Sequence, residues 1–236
     1  MKVDATNMTS VFQDGFLIGE VGLAHDGSLG MAHAYIDAIA EAGADAVKFQ
    51  THIAESEGTI HEKFRVNVFP QDSSRQDYWR RTSFTKEQWA GLKEHCDDKG
   101  VLFMSSPFSL AAVDLLKDIG VQAWKIGSGE TNNIPLLQKI AKYQDPVYLS
   151  TGMSFYEEIA RAVNIFKEFN SPLLLMQCTN KYPCPPEFWG LNMINEYIEK
   201  FNIPVGFSDH SGDVAAGLAA VALGAQAVEV HVTWHK

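Results

Sequence analysis

The stretches Ile203-Pro-Val-Gly-Phe-Ser-Asp-His210 and Ala227-Val-Glu-Val-His231 decide the fold of this chain. Each is a short apolar run typical of a buried strand, and each ends in a histidine. Residues 211–226 between them have the length and the small side chains of a crossover helix. Because the carboxyl ends of neighbouring parallel strands lie side by side, we expect His210 and His231 to meet at one rim. Two imidazoles near Asp209 and Glu229 suit a divalent metal, although either histidine alone could be an ordinary polar residue at a strand end.

The same alternation of strand and helix runs through the rest of the chain. Besides the two stretches above, the pattern predicts strands over 16–20, 45–50, 101–105, 122–126, 146–150 and 173–178. Helical periodicity falls between them, over 29–42, 85–98, 110–119, 134–143, 155–169 and 191–201. Eight parallel strands with alternating helices close naturally into a (β/α)₈ TIM barrel of the α/β class. A doubly wound open sheet is the alternative, but these strands are apolar throughout and none has the character of an edge strand.

The expected organisation is a polar N-terminal lead-in over 1–15 and one barrel domain over 16–236. Residues 51–83 interrupt the rhythm with a long polar and aromatic segment between the second strand and the next helix. Loops of this length in compact domains are usually lids or binding loops, the alternative being a solvated insertion. No helical pattern follows the eighth strand, so the chain apparently lacks the eighth helix, and we expect the natural chain to continue.

Composition narrows the class of protein. The 236 residues are 46% hydrophobic, enough for one large core, and the net charge of −10 argues against nonspecific nucleic-acid binding. No apolar run reaches membrane-spanning length and no signal peptide precedes the barrel pattern, so we expect no membrane partner. The three cysteines, Cys96, Cys178 and Cys184, have no CxxC spacing, which favours reduced thiols and a cytoplasmic location.

Polar residues stand at the carboxyl end of every predicted strand, where barrel enzymes place their active sites. They are Glu20, Lys48, Gln50, Ser105, Ser106, Lys125, Ser128, Glu130, Ser150, Thr151, Asn180, Tyr182, Ser208, Asp209, His210, Glu229 and His231. Lys48 and Lys125 lie inside hydrophobic strands, which implies a bound anion or a paired carboxylate for each. Together with the hydroxyl groups and the glycine-rich turns, they predict a ligand that carries a phosphate and a carboxylate.

Two kinds of chemistry remain open for these lysines and carboxylates. Either lysine could form a Schiff base with a carbonyl substrate, although the pair of histidines favours Lewis-acid chemistry. The carboxylates of Glu20, Glu130, Asp209 and Glu229 could bind sugar hydroxyls, move protons, or only balance the lysines.

Taken together, the motifs of the chain resemble those of the N-acetylneuraminate (sialic acid) synthase family, from about residue 16 to 233. They are Gly19-Glu-Val-Gly22, Ala24-His-Asp-Gly27, Ala42-Gly-Ala-Asp-Ala-Val-Lys-Phe-Gln-Thr51, Ser105-Ser-Pro-Phe108, Trp124-Lys-Ile-Gly-Ser-Gly-Glu130, Leu149-Ser-Thr-Gly-Met153, Cys178-Thr-Asn-Lys-Tyr-Pro183, Gly206-Phe-Ser-Asp-His210 and Val228-Glu-Val-His231. Each motif alone is weak, but the set is highly specific.

The resemblance implies a barrel enzyme that condenses phosphoenolpyruvate with an N-acylated hexosamine, such as N-acetylmannosamine, and releases phosphate. It implies a divalent metal on His210 and His231, Mn²⁺ by preference, with Mg²⁺ and Co²⁺ as alternatives. The implied phosphoenolpyruvate site is Lys48, Ser106, Lys125, Ser128, Ser150, Asn180 and Ser208. Glu20, Gln50 and Tyr182 match positions that face the sugar, and Glu130 matches a carboxylate near the reacting carbons. Asp209 is a further candidate for binding the substrate. The catalytic candidates are Glu20, Glu130, His210 and His231.

The chain also departs from the family's pattern. The family usually has Asn-His-Asn-Gly at Ala24–Gly27, histidine at Gln177 and lysine at Val230. Family members continue into an antifreeze-like C-terminal domain that supplies an arginine to the partner subunit, so we expect a homodimer of the full-length protein.

The substrate could instead be an aldose phosphate, in which case a second phosphate site would need arginines of the long segment. These are Arg65, Arg75, Arg80 and Arg81. A non-catalytic barrel that senses sugar or phosphoenolpyruvate is the remaining alternative.

Overall fold

Eight parallel strands form a closed barrel in chain order. The computed structural model describes residues 12, 15–59, 61–64 and 70–234. The strands are β1 (Phe16–Gly22), β2 (Ala46–Thr51), β3 (Leu102–Pro107), β4 (Ala123–Ile126), β5 (Val147–Ser150), β6 (Leu173–Gln177), β7 (Val205–Asp209) and β8 (Ala227–His231). Strand β8 pairs with β1 and closes the sheet. The predicted TIM barrel is confirmed, and the open-sheet alternative is wrong because β1 and β8 are paired and no edge is left.

The helices surround the barrel. They are α1 (Leu29–Glu41), α2 (Arg75–Thr82), α3 (Lys86–Lys99), α4 (Leu110–Asp118), α5 (Ile134–Ala141), α6 (Tyr156–Glu168), α7 (Asn192–Phe201) and α8 (Val214–Ala222). Helix α3 begins with the predicted capping box, in which Thr85 and Gln88 satisfy each other's backbone N–H groups. Helices α2 and α3 both follow β2, whereas no helix follows β8 among the described residues 232–234. No helix in the described part of the chain is long and apolar enough to span a bilayer.

The segment between β2 and α3 is more ordered than a simple loop. It contains the helix α2 and a 3₁₀ turn, Ala54–Ser56. Ser74 begins α2 by accepting a hydrogen bond from the backbone N–H of Asp77. The sequence does not predict this helix, because Arg75–Thr82 carries too few apolar residues to show a helical period. Arg65 lies outside the described residues, as does most of the predicted lead-in over 1–15.

Two hydrophobic layers position the site. Outward-facing strand residues such as Phe49 pack against Trp89 and Phe103 in the layer between barrel and helices. The inward-facing residues of the barrel floor form a second cluster of Ile18, Ala46, Met104, Ala123, Tyr148, Leu174, Met176 and Ala227. Because side chains alternate along a strand, the next inward residue of each strand is two positions further along the chain. These residues lie above the floor, at the carboxyl end of the barrel.

Candidate active site

Four buried charged side chains occupy the barrel directly above its apolar floor. The ammonium group of Lys48 lies 3.0 Å from Glu20 Oε2 and 3.4 Å from Glu229 Oε2. Lys125 Nζ lies 3.4 Å from Glu229 Oε1 and donates a 2.7 Å hydrogen bond to Ser150. At most 4% of any of the four residues is exposed. Two cations and two anions therefore balance each other inside the barrel, which is the paired-carboxylate outcome that the sequence left open.

Burial and the neighbouring charges shift the pKa values of three members of this array. Burial disfavours the charged form of Lys48, but Glu20 and Glu229 outweigh it and raise the pKa of the lysine. Burial also opposes ionisation of Glu229, yet Lys125 and Lys48 lower the pKa of this carboxyl group below its ordinary value. At Lys125 burial prevails over the attraction of Glu229, and the pKa of the amine is lowered. Lys125 is thus the member of the array that gives up a proton more readily than an ordinary lysine.

The two predicted histidines meet at the rim above the array. The ring centroids of His210 and His231 are 5.5 Å apart. His210 Nδ1 lies 2.8 Å from the carbonyl oxygen of Thr179, which fixes a proton on Nδ1 and leaves a lone pair on Nε2. Tyr182 stacks on His210 at 4.0 Å between centroids, and its hydroxyl group lies 2.8 Å from Nε2.

This donor set fits a divalent ion that takes its remaining ligands from water or substrate. An imidazole nitrogen oriented through a carbonyl on its other side is the usual form of a metal-binding histidine. The described residues contain no cluster of three or more His, Cys, Asp or Glu arranged to hold a metal. His210 and His231 are the two residues of this edge that could serve as its protein ligands.

The array and the histidines line one cavity of about 180 Å³. Twelve of the fourteen predicted site residues line it: Glu20, Lys48, Gln50, Ser106, Lys125, Ser128, Ser150, Asn180, Tyr182, Ser208, His210 and His231. The convergence of these side chains was the central expectation from the sequence, and the geometry agrees with it.

The other two predicted residues, Glu130 and Asp209, lie outside the cavity lining. Asp209 follows Ser208 on β7 and so faces the other way, where its carboxylate accepts a hydrogen bond from the backbone of Ser211 at 2.8 Å. Glu130 ends a 3₁₀ turn after β4, and its carboxylate accepts a 2.8 Å hydrogen bond from Asn133.

The cavity also contains residues that were not selected as site residues: Phe108, Met153, Cys178 and Glu229. Glu229 was named only among the rim carboxylates, although it shares the inward parity of His231 on β8. Cys178 continues the inward series of Leu174 and Met176 on β6 in the same way, and its Sγ lies 3.2 Å from Ser128 Oγ. Strand alternation was the signal that identifies both.

Three described arginines of the segment between β2 and α3 point to carboxylates rather than to the cavity. Arg75 pairs with Glu62 and Arg80 pairs with Glu55. Arg81 binds Asp72 and Asp26, each at 2.7 Å. Asp26 replaces the asparagine usual in the family, so the Arg81–Asp26 pair gives that departure a structural partner. None of these three arginines lines the cavity.

Comparisons with known proteins agree with this geometry. The model of the NeuB family matches residues 35–236. The chain belongs to the NeuB family. It is 34% identical over 230 residues to human N-acetylneuraminate-9-phosphate synthase, covering 94% of this chain and 62% of that protein. It is 34% identical over 226 residues to N,N'-diacetyllegionaminic acid synthase of Campylobacter jejuni, covering 93% and 68%.

A solved structure of the same family superposes closely on the barrel. It is the N-acetylneuraminic acid (sialic acid) synthetase of Leptospira borgpetersenii in complex with citrate, with a TM-score of 0.82 and 35% identity, covering 94% of this chain and 74% of that chain. The likeness thus includes the whole barrel, whereas the chain spans under two thirds of the length of the human relative.

Proposed function

We propose that this barrel condenses phosphoenolpyruvate with an N-acylated hexosamine to give a nine-carbon sialic-type acid and phosphate. The observation that carries the proposal is the buried array of Lys48, Lys125, Glu20 and Glu229 directly beneath two rim histidines. The relatives are named as synthases of N-acetylneuraminate 9-phosphate and of diacetyllegionaminic acid, both of the sialic-acid type.

The proposed reaction forms one carbon–carbon bond and one carbon–oxygen bond from water, and it breaks the carbon–oxygen bond to phosphate; the two protons of the water end on the former aldehyde oxygen and on the phosphate. The methylene carbon of phosphoenolpyruvate attacks the aldehyde carbon of the open-chain sugar, and the aldehyde oxygen gains a proton. Water adds to the resulting cation at the carbon that bears the phosphate. That adduct loses inorganic phosphate and becomes the ketone of the product.

The cations of the array would bind the anionic substrate. Lys125 donates to Ser150, and Ser208 donates to Glu229 at 2.9 Å, so hydroxyl groups lie beside the contacts that Glu229 makes with the lysines. Entry of a phosphate or carboxylate oxygen would let Lys48 and Lys125 exchange part of their contact with Glu229 for a contact with substrate. Charge-assisted hydrogen bonds of this kind position a substrate as well as binding it.

His210 and His231 would hold the divalent metal of the proposal, Mn²⁺ by preference. A bound ion of this kind supplies Lewis-acid polarisation of a carbonyl group. Tyr182 would position the sugar at the same edge, since its ring stacks on His210 and its hydroxyl group lies at Nε2. Gln50 donates to Glu20 at 3.0 Å, which directs the amide and the carboxylate together toward the sugar side of the cavity.

We infer that the sugar has no phosphate group. Phosphoenolpyruvate contributes three carbons, so a product phosphorylated at C9 requires a hexosamine phosphorylated at C6. A second phosphate would need cations that are not already paired. Among the arginines of the long segment that the structure describes, Arg75, Arg80 and Arg81 each bind a carboxylate outside the cavity. These pairings support an uncharged N-acylated hexosamine over an aldose phosphate.

Phosphate release tests the proposal. We expect release only when phosphoenolpyruvate, Mn²⁺ and N-acetylmannosamine are all present, and less release with N-acetylmannosamine 6-phosphate. Borohydride treatment during turnover should trap no covalent adduct. Trapping on Lys48 or Lys125 would replace the proposal with a Schiff-base reaction. Calorimetric binding of sugar without phosphate release, across a panel of N-acylated hexosamines, would replace it with a sensing role.

A further inference from the structure

His52 lies one residue beyond β2 and is held between two aromatic rings. Its imidazole stacks on Phe108 at 4.2 Å between centroids, with an interplanar angle of 10°, and on Trp79 at 5.1 Å and 12°. Trp79 belongs to α2, whereas Phe108 lines the cavity. The backbone carbonyl of His52 accepts a 3.0 Å hydrogen bond from Ser83, just after α2. His52 therefore joins the segment between β2 and α3 to the wall of the candidate active site.

Both ring nitrogens of His52 face polar partners. Nδ1 lies 2.7 Å from Glu57 Oε2, and the other oxygen of Glu57 accepts a 2.6 Å hydrogen bond from the backbone N–H of Ile53. Nε2 lies 3.5 Å from Gln50 Oε1, and the amide nitrogen of Gln50 donates to Glu20. A continuous series of contacts thus runs from Glu57 through His52 and Gln50 to the carboxylate of the charge array.

We propose that His52 is a positioning residue that sets the direction of the Gln50 amide and the plane of Phe108 at the sugar side of the cavity. The assignment of that side rests on the proposed function. Packing alone does not require a histidine here, because a phenylalanine would fill the space between Trp79 and Phe108 equally well. The imidazole adds polar edges on both sides, one anchored by Glu57 and the other presented to Gln50.

The side-chain amide of Gln50 is held at both its nitrogen and its oxygen. Glu20 can accept hydrogen bonds but not donate them when ionised, so it selects the amide nitrogen of Gln50. The amide oxygen then points to His52 and accepts a hydrogen bond from Nε2 when that nitrogen carries a proton. With an apolar ring at position 52 the oxygen loses this partner, and only the nitrogen end of the amide is still held, by Glu20.

The test compares His52→Phe with the wild-type protein by crystallography and by steady-state kinetics. The variant keeps the aromatic sandwich and removes both polar edges. We expect the Gln50 amide to turn about its remaining contact with Glu20 and the KM for N-acetylmannosamine to rise, by at most about tenfold, the upper end of what one lost hydrogen bond gives. The KM for phosphoenolpyruvate should stay within about twofold, since Lys48 and Lys125 are unchanged. The matched control is His95→Gln, which alters a histidine bonded to Asp37 on the outer helices and should change neither constant.

An unmoved Gln50 in the His52→Phe structure would overturn the proposal, as would an equal rise in both KM values. If His52→Phe does not fold, Glu57→Gln carries both measurements, because it weakens the anchor of His52 and leaves the sandwich intact. A wild-type protein that releases no phosphate with any sugar would refute the proposed function alone. The position of Gln50 in the two structures would still decide the role of His52.

Discussion

Replacing Glu229 by glutamine should unbalance the charge array and reveal how it is held. The variant keeps the shape of the side chain and its contact with Ser208, but leaves Lys48 and Lys125 opposite Glu20 alone. At 3.4 Å, each Lys–Glu229 contact amounts to about 5 kcal/mol of attraction at an effective dielectric constant of about 20. Glutamine is neutral, so the variant also avoids the cost of desolvating a carboxylate, and the net loss is smaller than the sum of these two attractions. We expect the free energy of unfolding to fall by about 3–5 kcal/mol, the usual cost of removing one partner of a buried ion pair.

The pH dependence of the variant distinguishes this cause from poor packing. Glu229 is the main group that opposes the effect of burial on the pKa of Lys125, so Glu229→Gln lowers that pKa further. A lysine whose pKa is lower in the folded state binds fewer protons there than in the unfolded state, and stability therefore rises with pH. The deficit of Glu229→Gln against the wild type should accordingly shrink between pH 7 and pH 9.

Urea denaturation at pH 7 and pH 9 measures the free energy of unfolding of both proteins. Thermal denaturation with and without phosphoenolpyruvate measures how much the ligand stabilises each. The substrate supplies the missing negative charge, so it should raise the Tm of Glu229→Gln more than that of the wild type. Asp118→Asn is the control, since it removes an exposed partner of Lys86 and should change stability very little. A Glu229→Gln protein within about 1 kcal/mol of the wild type, with the same pH profile, would refute the account of the array.

Three further outcomes follow from the structure. His25 is buried with its pKa lowered to about 4, and its Nδ1 accepts a hydrogen bond from the N–H of Gly27, so that bond must break before the ring can take up a proton. Urea denaturation of the wild type should show the free energy of unfolding fall by about 2 kcal/mol between pH 7 and pH 5, and that of His25→Asn should fall less. Dialysis against a chelator should abolish phosphate release, Mn²⁺ should restore it, and His210→Gln should not respond to Mn²⁺. The net charge of −10 repels phosphoenolpyruvate, and salt screens that repulsion. The kcat/KM for phosphoenolpyruvate should therefore stay level or rise from 10 to 150 mM salt, whereas a steep fall would indicate a cationic entry path.

The periodicity of the strands carried most of the prediction. Eight apolar runs implied a closed barrel, and period-two alternation placed Lys48 and Gln50 on the inner face and Phe49 on the outer one. The same rule placed Ser208 inside and would have placed Asp209 outside, had it been applied there. It does not extend past the ends of strands, so the position of Glu130 in a 3₁₀ turn could not be derived from parity.

Long-range contacts were beyond the sequence for a different reason. The pairing of Arg81 with Asp26 joins residues 55 positions apart, and the His52 sandwich joins three segments. Nothing in local composition distinguishes these partners from other arginines, carboxylates and aromatic residues in the same region. Helix α2 was missed for the related reason that its charged residues satisfy tertiary ion pairs rather than a helical hydrophobic stripe.

The charge array explains how an acidic protein can bind an anion. At a net charge of −10 the surface field opposes an approaching phosphate, but that field is screened within about 8–10 Å at physiological salt. Lys48 and Lys125 lie inside the barrel, where screening is weak and their attraction is strong. Glu20 and Glu229 pair with those two ammonium groups and fix them in place without a ligand. Each carboxylate therefore lowers the affinity for an anion and at the same time maintains the cations that bind it, and this opposition is what Glu229→Gln separates.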